Sequence, residues 1–292
     1  MTDVALATAA ELPSLIDDED AFRTALEARD IAAEPVVWSD ESVEWGEFDA
    51  VLVRTIWDYY RRANAFDAWL DRLDCATTTV WNSVRTLRWN SHKFYLRDLA
   101  ERGVPTLQTA YLDRGAGVSL DGLMADCGWD EVVVKPAMSA GAFETKRISR
   151  ADADAAQTWF EDLIARRDVL VQRFADEIEA GEWSLVFFDG AYSHAWNSLP
   201  ASDDVTTFDG IDADYEPDSR VQRRASAALA ATRDALDLDP ADLPYARVDY
   251  VERDGDPVVL ELELIEPFLG LERGAGATAR FRDTLLAYYE GR

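Results

Sequence analysis

The chain is 292 residues long, 48% apolar and 11% aromatic, with 57 acidic against 29 basic residues and a formal net charge of −28. A chain of this size and apolarity buries a core in two or three structural units, which excludes a disordered acidic tail, while its negative field repels DNA, RNA and anionic membranes. Lys93, Lys135 and Lys146 are the only lysines, and acid excess with arginine as the main cation reads as a salt-adapted cytosolic surface, its self-repulsion screened in concentrated salt.

In chain order, a strand at 4–9, a helix at 20–29, a short strand at 35–38, a buried strand at 49–54 and a helix at 64–73 are predicted. That alternation argues for a parallel sheet flanked by helices. The third strand runs into a polar and aromatic cluster, Arg54-Thr55-Ile56-Trp57-Asp58-Tyr59-Tyr60. Open α/β sheets commonly bind ligands at the C-terminal ends of strands, although aromatics packed over a sheet edge explain the cluster equally well. Arg54, Trp57, Asp58 and Tyr59, together with Glu266, are candidate substrate contacts on placement alone.

From residue 86 a helix is predicted through 99, stopping at Gly103 with Pro105 beyond. A strand near 106–112, a glycine-containing loop, a strand at 131–135, a helix at 153–166 and a strand at 169–174 follow. Strands at 183–188 and 191–196 form a hairpin across Asp189-Gly190. Residues 202–217 are polar, acidic and aperiodic, and are expected to form a mobile loop. A helix at 220–236, strands at 245–251 and 258–264 paired across Asp254-Gly255, and a helix at 281–289 complete the chain.

The strongest chemical signal is Arg247-x-Asp249 followed by Glu261-x-Glu263. Residues i and i+2 of a strand share a face, so a hairpin of the two strands brings three carboxylates and a guanidinium together. Such a set suits Mg²⁺ with a polyphosphate. With about a fifth of the residues acidic, acid-x-acid pairs arise roughly eleven times by chance in this length. What raises this pair above chance is its alternation with Val259, Leu260, Leu262 and Leu264 in a strand that reads as buried, where an unpaired carboxylate costs several kcal/mol.

Lys135 ends the run Val132-Val133-Val134 and precedes the small-residue loop Pro136-Ala137-Met138-Ser139-Ala140-Gly141-Ala142. Free N–H groups there can cradle phosphate, with the lysine as a point charge. The loop is not a Walker A motif, and a lysine snorkelling from a strand end is the plain alternative. Lys93, on a predicted helix face, is expected at the surface, as is Lys146.

Absent patterns narrow the chemistry. His92 and His194 are the only histidines, which excludes HExxH and three-histidine zinc sites, and no GxSxG elbow supports a serine triad. Cys75 and Cys127 are far apart, without CxxC spacing, so reduced thiols are expected. Gly274-Ala275-Gly276-Ala277-Thr278-Ala279 matches GxGxxA but follows no strand, and is read as a helix lead-in. No basic n-region opens the chain, and no stretch reaches the roughly eighteen apolar residues of a membrane span. A soluble cytoplasmic protein is the expectation.

In order, VRTIWDYY, LRWNSHKFYL, VVVKPAMSAGA, LVQRF, GEWSLVFFDG, YARVDYV and LELELIEP resemble the ATP-grasp superfamily over residues 50 to 270. The resemblance is to the branch of prokaryotic glutathione synthetase and RimK-type ligases, and within it to the group of cycloserine-forming cyclo-ligases. It implies a parallel α/β pre-ATP-grasp domain at 1–86 and a two-lobed, α+β ATP-grasp fold. The central lobe with the phosphate loop spans 87–175, and the C-terminal lobe with the Mg²⁺ site spans 176–292.

The implied roles are as follows. Lys93 and Lys135 reach the ATP phosphates, and Ser139, Ala140, Gly141 and Ala142 form a mobile loop over the γ-phosphate. Gln172 and Phe174 lie in the adenine-reading hinge, and Glu182 holds the ribose. Asp249, Glu261 and Glu263 hold Mg²⁺, or Mn²⁺ in its place, and Arg247 is the catalytic cation. Departures exist: Glu263 stands where many relatives have asparagine, which still suits Mg²⁺. Ser184 stands where glutathione synthetase has a basic residue, which argues against a glutathione-type substrate, and the loop has fewer glycines than is usual.

The function so implied is an ATP- and Mg²⁺-dependent carboxylate–nitrogen ligase working through an acylphosphate. It would take small-molecule carboxylate and amine substrates, join them between molecules or by closing a ring, and need no nucleic acid or membrane partner. A homo-oligomer is compatible with the resemblance. Two alternatives stay open: a kinase on the same fold, and a non-catalytic acidic module that binds nucleotide or metal.

Overall fold

The computed structural model describes residues 2–199, 212–239 and 242–290. The N-terminal part contains β1 (Thr2–Thr8), α1 (Asp17–Glu27), β2 (Ile31–Val37), β3 (Ala50–Thr55), α2 (Ala63–Cys75) and β4 (Thr79–Trp81). Its four strands pair in parallel in the order β2-β1-β3-β4. Every residue of β3 is buried, as expected of a central parallel strand covered on both faces. The predicted alternation is borne out, with the short β4 added.

Next come α3 (Val84–Ser91), α4 (Tyr95–Glu101), β5 (Thr109–Leu112), α5 (Leu120–Cys127), β6 (Glu131–Pro136), β7 (Lys146–Ser149), α6 (Ala153–Ile164) and β8 (Val169–Arg173). Their sheet is antiparallel, ordered β5-β8-β6-β7. Two predictions fail here. The helix expected over 86–99 is two helices, because the Lys93 N–H is captured by the Ala137 carbonyl at 2.7 Å. His92 at the break is extended, with φ −112° and ψ 109°. The glycine-containing loop holds α5, capped by the Ser119 hydroxyl on the Gly122 N–H and closed by left-handed Gly128. An eight-residue helix is too short for its periodicity to register.

The last part contains β9 (Glu182–Phe188), β10 (Ala191–Ser198), β11 (Asp212–Tyr215), α7 (Ser219–Leu236), β12 (Tyr245–Arg253), β13 (Asp256–Glu263) and α8 (Ala277–Glu290). These strands form an antiparallel sheet in the order β11-β10-β9-β12-β13. Both predicted hairpins are present, and the glycine-rich stretch does lead into α8. Of the loop expected at 202–217, residues 202–211 lie outside the described residues, and 212–215 are strand β11 rather than loop. That strand pairs with β10 from Ala195 to Ser198.

Aromatic packing joins the first and third sheets. Phe22 of α1 meets Phe281 of α8 at 4.6 Å, and Phe281 stacks on Phe188 of β9 at 5.0 Å. In the middle sheet, Val132 and Val134 of β6 pack against α5 and α6. By the two-residue period of a strand, Val133 and Lys135 point the opposite way, into a cavity facing the third sheet. Among the described residues no helix is long and apolar enough to cross a membrane.

Candidate active site

A cavity of about 460 Å³ opens between the two antiparallel sheets, roofed by Tyr59 from the N-terminal part. On β12 and β13, Arg247 stands opposite Glu263 and Asp249 opposite Glu261. The ladder slips between Asp249 and Tyr250, leaving Leu260 as an extra residue. This bulge lets Leu260, Glu261 and Glu263 all face the cavity.

Arg247 grips Asp249 at 2.9 Å through Nε and Nη2, and Glu263 at 2.7 Å through Nη2. The Ser184 hydroxyl, opposite Asp249 on β9, donates to that carboxylate at 2.7 Å. Lys93 is not at the surface: only 6% exposed, it reaches from the break between α3 and α4 to pair with Glu261.

The electrostatics follow from burial and crowding. Burial and the neighbouring Lys93 pull the Lys135 ammonium down to about 8. Burial, opposed by Arg247 and reinforced by Asp249, pushes Glu263 up to about 7. Glu182 is raised well above the carboxylate range, chiefly by burial and then by Asp249. Glu266 is raised likewise, by burial and Glu263. Glu261 is lowered, since Lys93 and Lys135 outweigh its burial.

Five carboxylates, Glu182, Asp249, Glu261, Glu263 and Glu266, and four cations, Lys93, Lys135, Arg173 and Arg247, line the cavity. Among the described residues no three ligating groups are gathered around a common point. That is compatible with Mg²⁺, which binds through one or two carboxylates plus phosphate and water rather than in an all-protein cage.

The phosphate-loop candidates Ser139, Ala140, Gly141 and Ala142 line the same cavity. The Ser139 hydroxyl donates to the Pro136 carbonyl at 3.0 Å. Gly141, Ala142 and Glu144 all have φ near +50° (54°, 55° and 49°), a conformation that costs a non-glycine residue about 1–2 kcal/mol. Outside contacts hold the loop in it. Phe143 packs on Tyr60 at 5.1 Å, and Glu144 pairs with Arg166 at 3.0 Å and Arg167 at 2.9 Å.

At the segment expected to read adenine, the Gln172 amide donates to the Thr109 hydroxyl at 3.1 Å, and the Arg147 guanidinium caps the Phe174 ring at 3.7 Å. The Phe174 N–H is already engaged by the Glu131 carbonyl at 3.0 Å, so a base lying there must use other backbone groups.

Of the substrate candidates, Tyr59 and Glu266 line the cavity, whereas Arg54, Trp57 and Asp58 do not. Arg54 is buried in an ion pair with Glu19, and Asp58 accepts from the Trp38 indole at 2.7 Å. Trp57 donates to the Glu266 carbonyl at 3.1 Å. Within the knot at the end of β3, Arg54, Trp57 and Asp58 therefore hold structure together, and Tyr59 faces the cavity. Residues not singled out in the sequence complete the wall, notably Trp196 of β10 and Phe268, whose rings meet edge-on at 6.0 Å. Neither carries a local signal, because they meet only across the third sheet. Lys146 lies exposed outside the cavity, over the Trp159 ring at 4.3 Å.

Residues 4–82 match the family described as D-cycloserine synthetase DcsG, N-terminal domain. The chain is 34% identical over 265 residues to the cycloserine biosynthesis protein DcsG of Streptomyces lavendulae, covering 87% of this chain and 88% of that protein. Its fold superposes on the crystal structure of D-cycloserine synthetase DcsG with a TM-score of 0.89 at 33% identity, covering 98% of this chain and 99% of that one. The D-alanine–D-alanine ligase of Bacillus anthracis complexed with ATP shares the fold at a TM-score of 0.69 and 17% identity, covering 100% and 98%.

Proposed function

The chain belongs to the D-cycloserine synthetase family of ATP-grasp ligases, and on that premise we propose how its residues divide the work of an ATP-dependent carboxylate–amine ligation. The chain is an enzyme that forms a carbon–nitrogen bond at the expense of ATP. The observation that carries the assignment of roles is the meeting of Lys93, Lys135 and Arg247 with five carboxylates in one cavity.

ATP would lie with its base near Gln172 and Phe174 and its ribose at Glu182. Lys93 and Lys135 would reach its phosphates, and the loop carrying Ser139, Ala140 and Gly141 would shield the γ-phosphate from water. Mg²⁺, or Mn²⁺, would draw on Asp249, Glu261 and Glu263, one or two of these carboxylates at a time with phosphate and water completing its shell, and would neutralise charge on the transferred phosphoryl group.

The substrate carboxylate oxygen attacks the γ-phosphorus and ADP leaves, giving an acylphosphate. The amine nitrogen then attacks the acyl carbon, and phosphate departs from the tetrahedral intermediate while the amine proton passes to phosphate or solvent. Arg247 is the cation suited to the developing negative charge in both steps, and positioning supplies most of the remainder. No strong side-chain base is required, which agrees with two histidines that both lie outside the cavity lining.

The wall formed by Tyr59, Trp196, Phe268 and Glu266 suits a small amino-acid-like acid, and the similarity to D-cycloserine synthetase favours ring closure within one substrate. The division into 1–86, 87–175 and 176–292, a cytoplasmic location and a salt-adapted surface belong to the same proposal. Hydroxylamine trapping tests it. With MgATP and amino-acid carboxylates in high salt, ADP and a hydroxamate should form together; ADP release with a stable phosphorylated product would instead indicate a kinase.

A further inference from the structure

After β13 the chain runs through residues 264–269 without regular structure, yet a side chain donates to every carbonyl along it. Asn82 donates to the Leu264 carbonyl at 2.7 Å, Tyr245 to Ile265 at 3.0 Å and Trp57 to Glu266 at 3.1 Å. Arg54 donates to Pro267 at 2.9 Å, Arg247 to Phe268 at 2.9 Å and His194 to Leu269 at 2.8 Å. Irregular segments ordinarily leave such groups to water. This one is fixed peptide by peptide, and three of the donors come from the N-terminal part.

The segment matters because Glu266 and Phe268 stand in the cavity wall. Between them Pro267 has no N–H, so its carbonyl is its only backbone handle. Arg54 holds that handle. The guanidinium is 1% exposed, bound by Glu19 through two nitrogens and flanked by the Tyr245 and Phe281 rings, each 5.6 Å away. A buried ion pair is a poor stabiliser compared with apolar side chains of the same volume, so stability alone is a weak account of one at this place.

Resting on the ligase assignment above, we propose that Arg54 is a positioning residue for the acid substrate. Held by Glu19, it fixes the Pro267 peptide and, with Trp57, sets where Glu266 and Phe268 meet the substrate. The residues assigned to the adenine, the ribose and the phosphates lie on other elements.

The test compares Arg54→Gln, Arg54→Lys, Glu19→Gln and Trp57→Phe with the parent enzyme, with amino-acid carboxylates as probes and hydroxylamine as acceptor. In Arg54→Gln and Glu19→Gln, KM for the acid should rise about tenfold or more, as for one lost charge-assisted hydrogen bond. KM for MgATP should stay within about twofold, and Arg54→Lys should recover part of the loss. Unchanged KM for the acid, or both KM values rising together, would overturn the proposal.

If Arg54→Gln does not fold, Trp57→Phe, which removes one bond from a half-buried ring, carries the same expectation for the Glu266 peptide. Amide hydrogen exchange across 265–271, read without substrate, should accelerate in the variants, and unchanged exchange there also overturns it. A parent enzyme releasing ADP independently of any acid would sink the ligase assignment, while the exchange result still decides the positioning.

Discussion

Lys93, at the break between α3 and α4, is ion-paired with Glu261 of β13, 168 residues further on. Both belong to the set proposed to receive MgATP, so nucleotide binding exchanges this pair for a lysine–phosphate and a carboxylate–metal contact. Lys93→Met should therefore weaken MgATP binding about tenfold or more, as expected for a lost charge–phosphate contact. Lys146→Met should leave binding unchanged, since that lysine sits outside the cavity over Trp159. Calorimetric titration of both variants checks this, and equal effects would refute it.

Lys135 gives a pH signature. Burial and Lys93 lower its ammonium to about 8, and only the protonated form holds phosphate. In kcat/KM for MgATP, which reports the free enzyme, a basic limb should appear near pH 8, and Lys135→Arg should move it beyond the accessible range. Stability runs the other way. Between about 8 and the ordinary lysine value near 10.4 the unfolded chain binds more protons, so stability rises with pH through that window. Lys135→Met should remove this rise from a pH series of urea melts.

The acids of β13 should separate function from folding. Glu263 is held up at about 7 by burial and its acidic neighbours, so its charge is no asset to the free protein. Glu261→Gln with Glu263→Gln should cut metal-dependent turnover by roughly 10³-fold, the scale of a lost electrostatic stabiliser of the transition state. The variant should still fold, with a melting temperature lowered by the loss of the Glu261 partner of buried Lys93 and not by the loss of Glu263. Turnover near the parent level would remove these acids from the mechanism, and a chelator should abolish parent activity reversibly.

The net charge of −28 predicts a salt response. Raising KCl from about 0.1 M to 1 M shortens the screening length from ~10 Å to ~3 Å. The melting temperature should climb over that range as self-repulsion is removed. A flat or falling trend would contradict a salt-adapted surface.

The sequence made the inward face of the cavity legible because strand alternation is local. Arg247 and Asp249, and Glu261 and Glu263, needed only the two-residue period to be put on shared faces. Contacts across the chain were not legible in this way. Arg54 and Trp57 looked like substrate contacts because they stand at and just beyond the C-terminal end of a parallel strand, but their partners, Pro267 and Glu266, lie about two hundred residues away. Lys93 looked exposed because the helix break around it depends on the Ala137 carbonyl. The small helix α5 carried its signals, a Ser119 cap and a left-handed Gly128, in too short a stretch for periodicity.

The central claim is that ATP activates the substrate carboxylate by phosphorylating it. An acid active in the hydroxamate assay, labelled with ¹⁸O in its carboxylate, should transfer one labelled oxygen to inorganic phosphate as the carbon–nitrogen bond forms. Phosphate released without the label, or AMP and pyrophosphate in place of ADP and phosphate, would contradict the account.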